Sequence, residues 1–189
     1  MKYQDDNHYI DLVVGGDSSA FAGLVTKHKN MVFSIVLKIL QNREDAEEIA
    51  QDVFLKAFES LGSFEKKSKF STWLYRIAYN TAITKKRKKR IEFLALDDHL
   101  ITNYTEDEVR GCVGELDAED QKRIIDKALK RLPEGDNLLI TLFYRAGSSV
   151  EEISTITQMT ESNVKVRLHR IRKKLYGEIS EIMKYQMAV

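Results

Sequence analysis

The chain has 189 residues and a mass of 21.8 kDa, with 43% hydrophobic and 31% charged residues. This length fits one medium domain or two small ones and argues against a large enzyme, and the composition argues against a mostly disordered chain. The sequence holds 9 Gly but only 1 Pro, and charges interrupt its long apolar stretches at helical spacing, which disfavours a turn-rich β fold. We therefore expect a nearly all-α protein.

The net charge of +1 conceals blocks of alternating sign. Residues 43–62 carry a net charge of −4, 63–90 carry +9, 91–120 carry −9 and 121–189 carry +5. Two basic blocks are the electrostatic footprint expected of a protein that binds a polyanion. The segregation indicates separate surfaces for separate partners.

Cysteine content and hydropathy bear on the compartment. Cys112 is the only cysteine, which excludes an intrachain disulfide and a cysteine-based zinc site and fits a reducing compartment. The N-terminal residues lack an uninterrupted apolar segment, and no later segment has about 18 uncharged apolar residues in a row. We expect a cytoplasmic protein that does not insert into a membrane.

Three helices are predicted in the first half of the chain. The first is amphipathic over residues 17–40, with Asp17 as its N-cap. The second covers 43–61, with Asn42 as its N-cap and Gly62 at its end. The third begins near Ser71 and continues into the basic run KKRKKR. We expect these helices to form one domain, residues 1–91.

The second half begins with an acidic segment, residues 92–120, whose glycines and weak periodicity predict a flexible interdomain linker. The next apolar stripe ends at Pro133, and another helix and then two shorter ones follow. These elements predict a C-terminal domain over residues 121–189.

The sharpest local signal lies in residues 148–175. Ser149 and Glu152 have the spacing of a capping box, the tripeptide QMT predicts a turn, and Thr160 can cap the following helix. That helix has an apolar stripe made by Val164, Leu168, Ile171 and Leu175. This pattern is typical of a helix-turn-helix that docks in the major groove, although a structural helix hairpin with a solvated basic face is the alternative.

The residues predicted to contact DNA on this helix lie at its start and on its polar side: Ser162, Lys165, Val166, Arg167, His169, Arg170 and Lys173. Residues near the start of a recognition helix reach base edges, and the later basic residues meet phosphates.

The third helix has a mixed face composed of Trp73, Arg76, Asn80, Ile83 and Arg87, opposite Leu74, Ala78 and Thr81. An aromatic ring, an amide and arginines on one side suit single-stranded nucleic acid, because rings stack on exposed bases and cations attract the backbone. Packing of Trp73 and Ile83 against the first two helices is the alternative, with the basic run as a solvated end.

The second helix places Asp45, Glu48, Asp52 and Glu59 together beside the apolar Leu55. Carboxylates in this number could serve acid/base chemistry or bind a metal. No histidine or glycine-rich phosphate loop lies nearby in the sequence, so the sequence supports neither acid/base chemistry nor metal binding well. A solvated face and a docking surface for a basic partner helix remain as alternatives.

Taken together, the motifs resemble those of bacterial sigma factors of the extracytoplasmic-function group, the two-domain type. The resemblance covers nearly the whole chain and rests on DAEEIAQDVFLKAFESL (45–61), KFSTWLYRIAYNTAITKKRKKR (69–90) and VKVRLHRIRKKL (164–175). It implies a region-two helical domain and a region-four helix-turn-helix domain joined by the acidic linker. It also implies the function of directing RNA polymerase to specific promoters and opening the duplex at the minus-ten element.

The resemblance assigns roles to the predicted faces. The second helix would dock on the clamp coiled coil of core RNA polymerase through Asp45, Glu48, Gln51, Asp52 and Leu55. The third helix would engage the minus-ten element, and the loop 62–69, with Phe64, Lys66, Lys67 and Lys69, would capture a flipped base. The last long helix would read the minus-thirty-five element. An anti-sigma factor is an expected partner, whereas catalytic residues, a metal, a cofactor and a small-molecule substrate are not expected.

Two other functions are compatible with parts of the sequence. A stand-alone helix-turn-helix regulator would explain residues 121–189 but would leave the mixed face of the third helix and the acids of the second without a role. A metal-dependent helical hydrolase would use those acids, and divalent-metal binding would reveal it.

Overall fold

The computed structural model describes residues 5–89 and 118–187, and all of the regular secondary structure within these ranges is helical. The N-terminal group comprises α1 (Asp6–Val14), α2 (Phe21–Leu40), α3 (Arg43–Ser60) and α4 (Phe70–Lys89). The C-terminal group comprises α5 (Ala118–Arg131), α6 (Glu134–Tyr144), α7 (Val150–Thr157) and α8 (Glu161–Met187). The expectation of an all-α fold is confirmed.

Capping residues account for several helix starts. Asn42 accepts a hydrogen bond from the Asp45 backbone N–H (2.9 Å), as predicted for the start of α3. Asp17 does cap, but it accepts from the Ser19 N–H (3.1 Å) of a short 3-10 turn, and α2 itself begins only at Phe21. Helix α1 was not predicted from the sequence; it packs on α2 where a Cβ at Gly23 would collide with the Tyr9 ring.

The N-terminal core forms where α2, α3 and α4 pack against one another. Five apolar residues at helical spacing in α3 and the turn after it are buried: Ala46, Ile49, Val53, Ala57 and Leu61. On α4, the side predicted to lie opposite the mixed face is also buried, namely Leu74, Ala78 and Thr81. Because buried alanines occupy little volume, α3 and α4 lie close to their neighbours at these positions.

The C-terminal group is built around α8, which packs on α5, α6 and α7. The last helix was predicted to be one of two helices shorter than those before it, but α8 extends over 27 residues to Met187. Its apolar stripe continues through Ile179, Ile182 and Met183, which bury themselves against Ile124 and Ala128 of α5. This added contact explains the length of the helix, because an amphipathic helix is stabilised mainly by packing of its apolar face.

The two groups are in direct contact. Helix α2 packs against α6, α4 packs against α7, and a continuous apolar core joins them. The division at residues 91 and 121 remains a prediction. Most of the predicted linker lies outside the described residues. Helix α5 begins at Ala118, within the range 92–120 that was predicted to be linker.

Candidate nucleic-acid interface

A capped turn positions the start of α8. The capping box at α7 is present as predicted, with the Glu152 N–H donating to Ser149 Oγ (3.1 Å) and the Ser149 N–H donating to Glu152 Oε2 (2.8 Å). Gln158 ends α7 in the left-handed region at φ 60°, and Thr160 Oγ1 accepts from the Asn163 N–H (3.3 Å). These bonds hold α7, the turn and α8 in a helix-turn-helix.

The polar side of α8 is open to solvent. Val164, Leu168 and Ile171 of the predicted apolar stripe are buried. Six of the seven residues predicted to contact DNA are exposed: Ser162, Lys165, Val166, His169, Arg170 and Lys173. An apolar side turned inward and a basic side turned outward is the arrangement that a recognition helix needs.

Arg167 differs from the other six because a buried carboxylate holds it. Asp136, in the first turn of α6, is only 8% exposed and forms ion pairs with Arg167 Nη2 (3.0 Å) and Lys174 Nζ (3.5 Å). Asp136 is not among the residues predicted from the sequence, because a lone acid at a helix start is an ordinary feature. The contacts show that it fixes α8 on α6.

The mixed face of α4 is partly open. Arg76, Asn80 and Arg87 are exposed, whereas Trp73 and Ile83 are half-buried. Trp73 packs in a cluster with Phe64 (ring centroids 5.1 Å apart) and Phe70 (5.7 Å). The structure therefore brings the loop residue Phe64 onto the helix residue Trp73, and both belong to the set of residues predicted to bind the minus-ten element.

The three lysines of the loop each have an acidic partner. Lys66 adopts a left-handed conformation (φ 55°) and pairs with Asp11 of α1, and Lys67 pairs with Glu65. Lys69 Nζ lies 3.0 Å from Glu152 Oε1. Helix α1 thus holds one side of the loop, and the capping-box acid of α7 holds the other.

The acidic face of α3 lies beside the basic part of α4. Leu55 is 61% exposed and Phe58 is 41% exposed, so the apolar portion of this face is larger than predicted. Glu48 pairs with Lys85 (3.1 Å), and this hydrogen bond, together with the charges of Glu48, Asp45 and Asp52, raises the pKa of Lys85. Glu48 and Gln51 are exposed, and Asp45 and Asp52 are half-buried.

Two further features bear on the alternatives. Within residues 5–89 and 118–187, no group of three or more His, Cys, Asp or Glu side chains is arranged to hold a metal ion. No helix in these ranges is both long and apolar enough to cross a membrane.

The sequence matches two family models, Sigma-70 region 2 over residues 24–91 and Sigma-70 region 4 over residues 122–175. The ECF RNA polymerase sigma factor SigW of Bacillus subtilis is 34% identical over 181 residues, which cover 92% of this chain and 96% of that protein. The chain belongs to the extracytoplasmic-function sigma factors. The RNA polymerase sigma-H factor of Pseudomonas aeruginosa is similar to this sigma factor as well, at 28% identity over 97% of this chain and 98% of the relative.

Solved structures support the fold of the sigma factor. CnrH, in a complex with the cytosolic domain of CnrY, has a TM-score of 0.61 and 22% identity and covers 93% of this chain and 97% of its own. The sigma factor RpoE of Bartonella quintana, in a complex with the anti-sigma factor NepR, also has a TM-score of 0.61, with 23% identity over 85% of this chain and 96% of its own.

The family membership confirms the predicted function. The sigma factor directs promoter-specific initiation by RNA polymerase, and the stand-alone regulator is not favoured. The region-two match covers most of α2 and all of α3 and α4, and the region-four match extends from α5 to the middle of α8.

Proposed function

We propose that three faces of the sigma factor divide the work of initiation: α3 binds core RNA polymerase, α4 with the loop 62–69 holds the opened minus-ten element, and α8 reads the minus-thirty-five element. The observation that carries this proposal is that each helix buries one side in the core and leaves a chemically distinct side accessible. The two DNA faces are basic or aromatic, whereas the α3 face is acidic with an apolar centre.

The face of α3 has the composition of a protein-binding surface. Leu55 and Phe58 are exposed large apolar side chains on one helix, and Glu48 and Gln51 lie exposed nearby in the sequence. An apolar centre with a polar rim is typical of protein interfaces. Asp45 and Asp52, both half-buried, would complete the acidic rim toward a basic helix of the polymerase.

The face of α4 suits unpaired bases. Half-buried Trp73 and Phe64 offer ring surface for stacking, the exposed Asn80 offers an amide for base edges, and Arg76 and Arg87 offer positive charge to the backbone. Ile83 lies on the same face of α4. The loop that precedes α4 adds Lys66, Lys67 and Lys69.

The face of α8 suits duplex DNA. Ser162, Lys165, Val166 and His169 lie near the helix start, where side chains reach base edges, and Arg170 and Lys173 lie where phosphates pass. Arg167, held by Asp136, would contribute its charge from a fixed position.

Partner, compartment and chemistry complete the proposal. A sigma factor acts with RNA polymerase, so we place this chain in the cytoplasm and assign it no bond-making or bond-breaking step of its own. CnrH and RpoE are each found with a partner protein, an anti-sigma factor in the case of RpoE. These complexes support an anti-sigma partner here.

Run-off transcription with purified core polymerase on genomic fragments tests the function and reveals the promoter. Replacing Arg170 or Lys173 with Ala should weaken binding on all promoters and reduce the salt slope by about one unit. Val166→Ala and His169→Ala should instead change the preferred minus-thirty-five sequence in a library selection. Lys127→Ala, an exposed change on α5, is the control. An unchanged preference in both variants would contradict the assignment of α8.

A further inference from the structure

Helix α1 lies outside the three faces described above, yet it is firmly fixed on its neighbours. The match to Sigma-70 region 2 begins only at residue 24, after α1 has ended. One carboxylate oxygen of Asp6 lies 2.7 Å from Lys27 Nζ of α2, and the other lies 3.2 Å from His28 Nε2. Ile10 is buried in the N-terminal core. These contacts hold α1 in place on α2.

The last turn of α1 reaches the loop 62–69 through Asp11, whose carboxylate forms an ion pair with Lys66. A negative charge in the last turn of a helix opposes the helix dipole, and the Asp11 side chain is 67% exposed. Neither the stability of α1 nor its packing therefore calls for an acid at this position. The contact with Lys66 is the feature of the structure that accounts for it.

Lys66 has a backbone conformation that lysine seldom adopts. Its φ of 55° lies in the left-handed region, where Cβ crowds the carbonyl oxygen. Residues stay in such conformations when the contacts around them hold them, and they are frequent at ligand-binding sites. Both ends of the loop are held by α4, because Phe64 packs on Trp73 and the Trp73 N–H donates to the Lys69 carbonyl (3.2 Å). The pair with Asp11 ties the middle of the loop to α1.

The pair has two consequences for the loop. Lys66 follows Phe64 by two residues, so the backbone conformation at Lys66 helps to set the path of the loop away from the contact between Phe64 and Trp73. The Asp11 carboxylate also neutralises the charge of Lys66. Contacts to phosphate carry no direct sequence information, so a neutralised lysine leaves the choice of base to the shape of the loop and to its rings.

We propose that Asp11 is a positioning residue for minus-ten recognition: through Lys66 it holds the loop 62–69 in its base-capturing conformation and suppresses a phosphate contact that would attract any sequence. Asp11 thus favours specificity over affinity. It acts on DNA only through Lys66. This inference rests on the role proposed above for the loop.

The test uses holoenzyme assembled from the full chain and core polymerase. The probe is a duplex promoter, recovered by run-off transcription, whose minus-ten element is randomised, and the sequences of the open complexes give the base preference. Asp11→Asn removes the charge and keeps the shape of the side chain. The matched control is Glu47→Gln, which removes an exposed acid that pairs with Arg43 Nε (2.9 Å). Glu47 lies ~20 Å along α3 from the end of that helix, where the loop begins.

We expect Asp11→Asn to lower the discrimination between the preferred base and the next at the captured position by ~2- to 5-fold, the scale of one exposed ion pair. The salt slope of promoter binding should steepen by about one unit, because the released Lys66 can neutralise a phosphate. Glu47→Gln should match wild type in both measurements, and Asp11→Glu, which keeps the charge, should retain the wild-type preference. An unchanged preference or slope in Asp11→Asn, or an equal loss of discrimination in Asp11→Glu, would overturn the proposal.

A double-mutant cycle shows whether Asp11 acts through Lys66. In a Lys66→Ala background, Asp11→Asn should change neither the base preference nor the salt slope any further. A loss of discrimination as large as that in the wild-type background would mean that Asp11 acts through another contact, such as the stability of α1, and would refute its role in positioning Lys66.

Failure of the underlying role of the loop has a different signature. If Phe64→Ala and Lys66→Ala both leave the minus-ten preference unchanged, the loop does not read this element, and the proposed function of the loop fails together with the inference about Asp11. If either substitution changes the preference and Asp11→Asn does not, the role of the loop stands and only the inference about Asp11 fails.

Discussion

Replacement of Trp73 separates a structural role from a role in promoter opening. The ring is half-buried and contacts Phe64 and Phe70 with centroid distances of 5.1 and 5.7 Å. Aromatic pairs of this kind contribute about 0.5–1.5 kcal/mol each, and a fully buried aromatic residue costs about 3–5 kcal/mol when replaced by Ala. We therefore expect Trp73→Ala to lower the free energy of unfolding by about 2 kcal/mol and to leave the domain folded.

Trp73→Ala should also reduce the amount of open complex, and by more than its loss of folding stability explains. Loss of one stacked base costs about 1–3 kcal/mol, which corresponds to about a 5- to 150-fold decrease in open complex. Urea denaturation followed by circular dichroism measures the stability, and permanganate footprinting of the holoenzyme on its promoter measures the opening. A template with a pre-melted minus-ten bubble should recover only in part, because the base contact is still missing.

Trp73→Phe is the control, because it keeps an aromatic ring for both Phe64 and a base. We expect it to retain most of the stability and most of the opening. Loss of more than about 4 kcal/mol in Trp73→Ala would make the residue part of the core, and a stable variant with normal thymine reactivity would remove α4 from the opening mechanism.

Three further outcomes are expected. Glu48→Lys/Asp52→Lys should weaken capture of core polymerase and leave the circular dichroism spectrum unchanged; normal capture would contradict the role of α3. Asp136→Ala should lower the free energy of unfolding by about 1–3 kcal/mol, because Arg167 loses a buried partner. Surface ion pairs contribute about 0–1 kcal/mol, so a change below about 0.5 kcal/mol would show that this pair does not stabilise the fold. Burial raises the pKa of Tyr75 to about 12, so the free energy of unfolding should fall as the pH rises from about 10 toward 12. The fall should be smaller in Tyr75→Phe, and an equal fall in the variant and the wild type would refute this.

Local sequence signals predicted much of the helical framework. Asn42 and the Ser149–Glu152 capping box are short-range hydrogen-bonding patterns, and both form as expected. The buried sides of α3, α4 and the start of α8 follow from apolar residues at helical spacing. The prediction failed for α1 and for the length of α8. Packing on a neighbour supports both, α1 on α2 at Gly23 and the end of α8 on α5.

The sequence by itself also determined the family and which side of each functional helix carries chemistry, because residue identity and helical rotation are local properties. Only the tertiary structure decided which of those side chains have partners. Asp136 and Arg167 are 31 residues apart, and Lys69 and Glu152 are 83 positions apart in the sequence. No periodicity relates residues at such distances, because the folding of the intervening chain brings them together. The contact of α4 with α7 is of this kind, and it places the first helix of the helix-turn-helix beside the helix assigned to the minus-ten element.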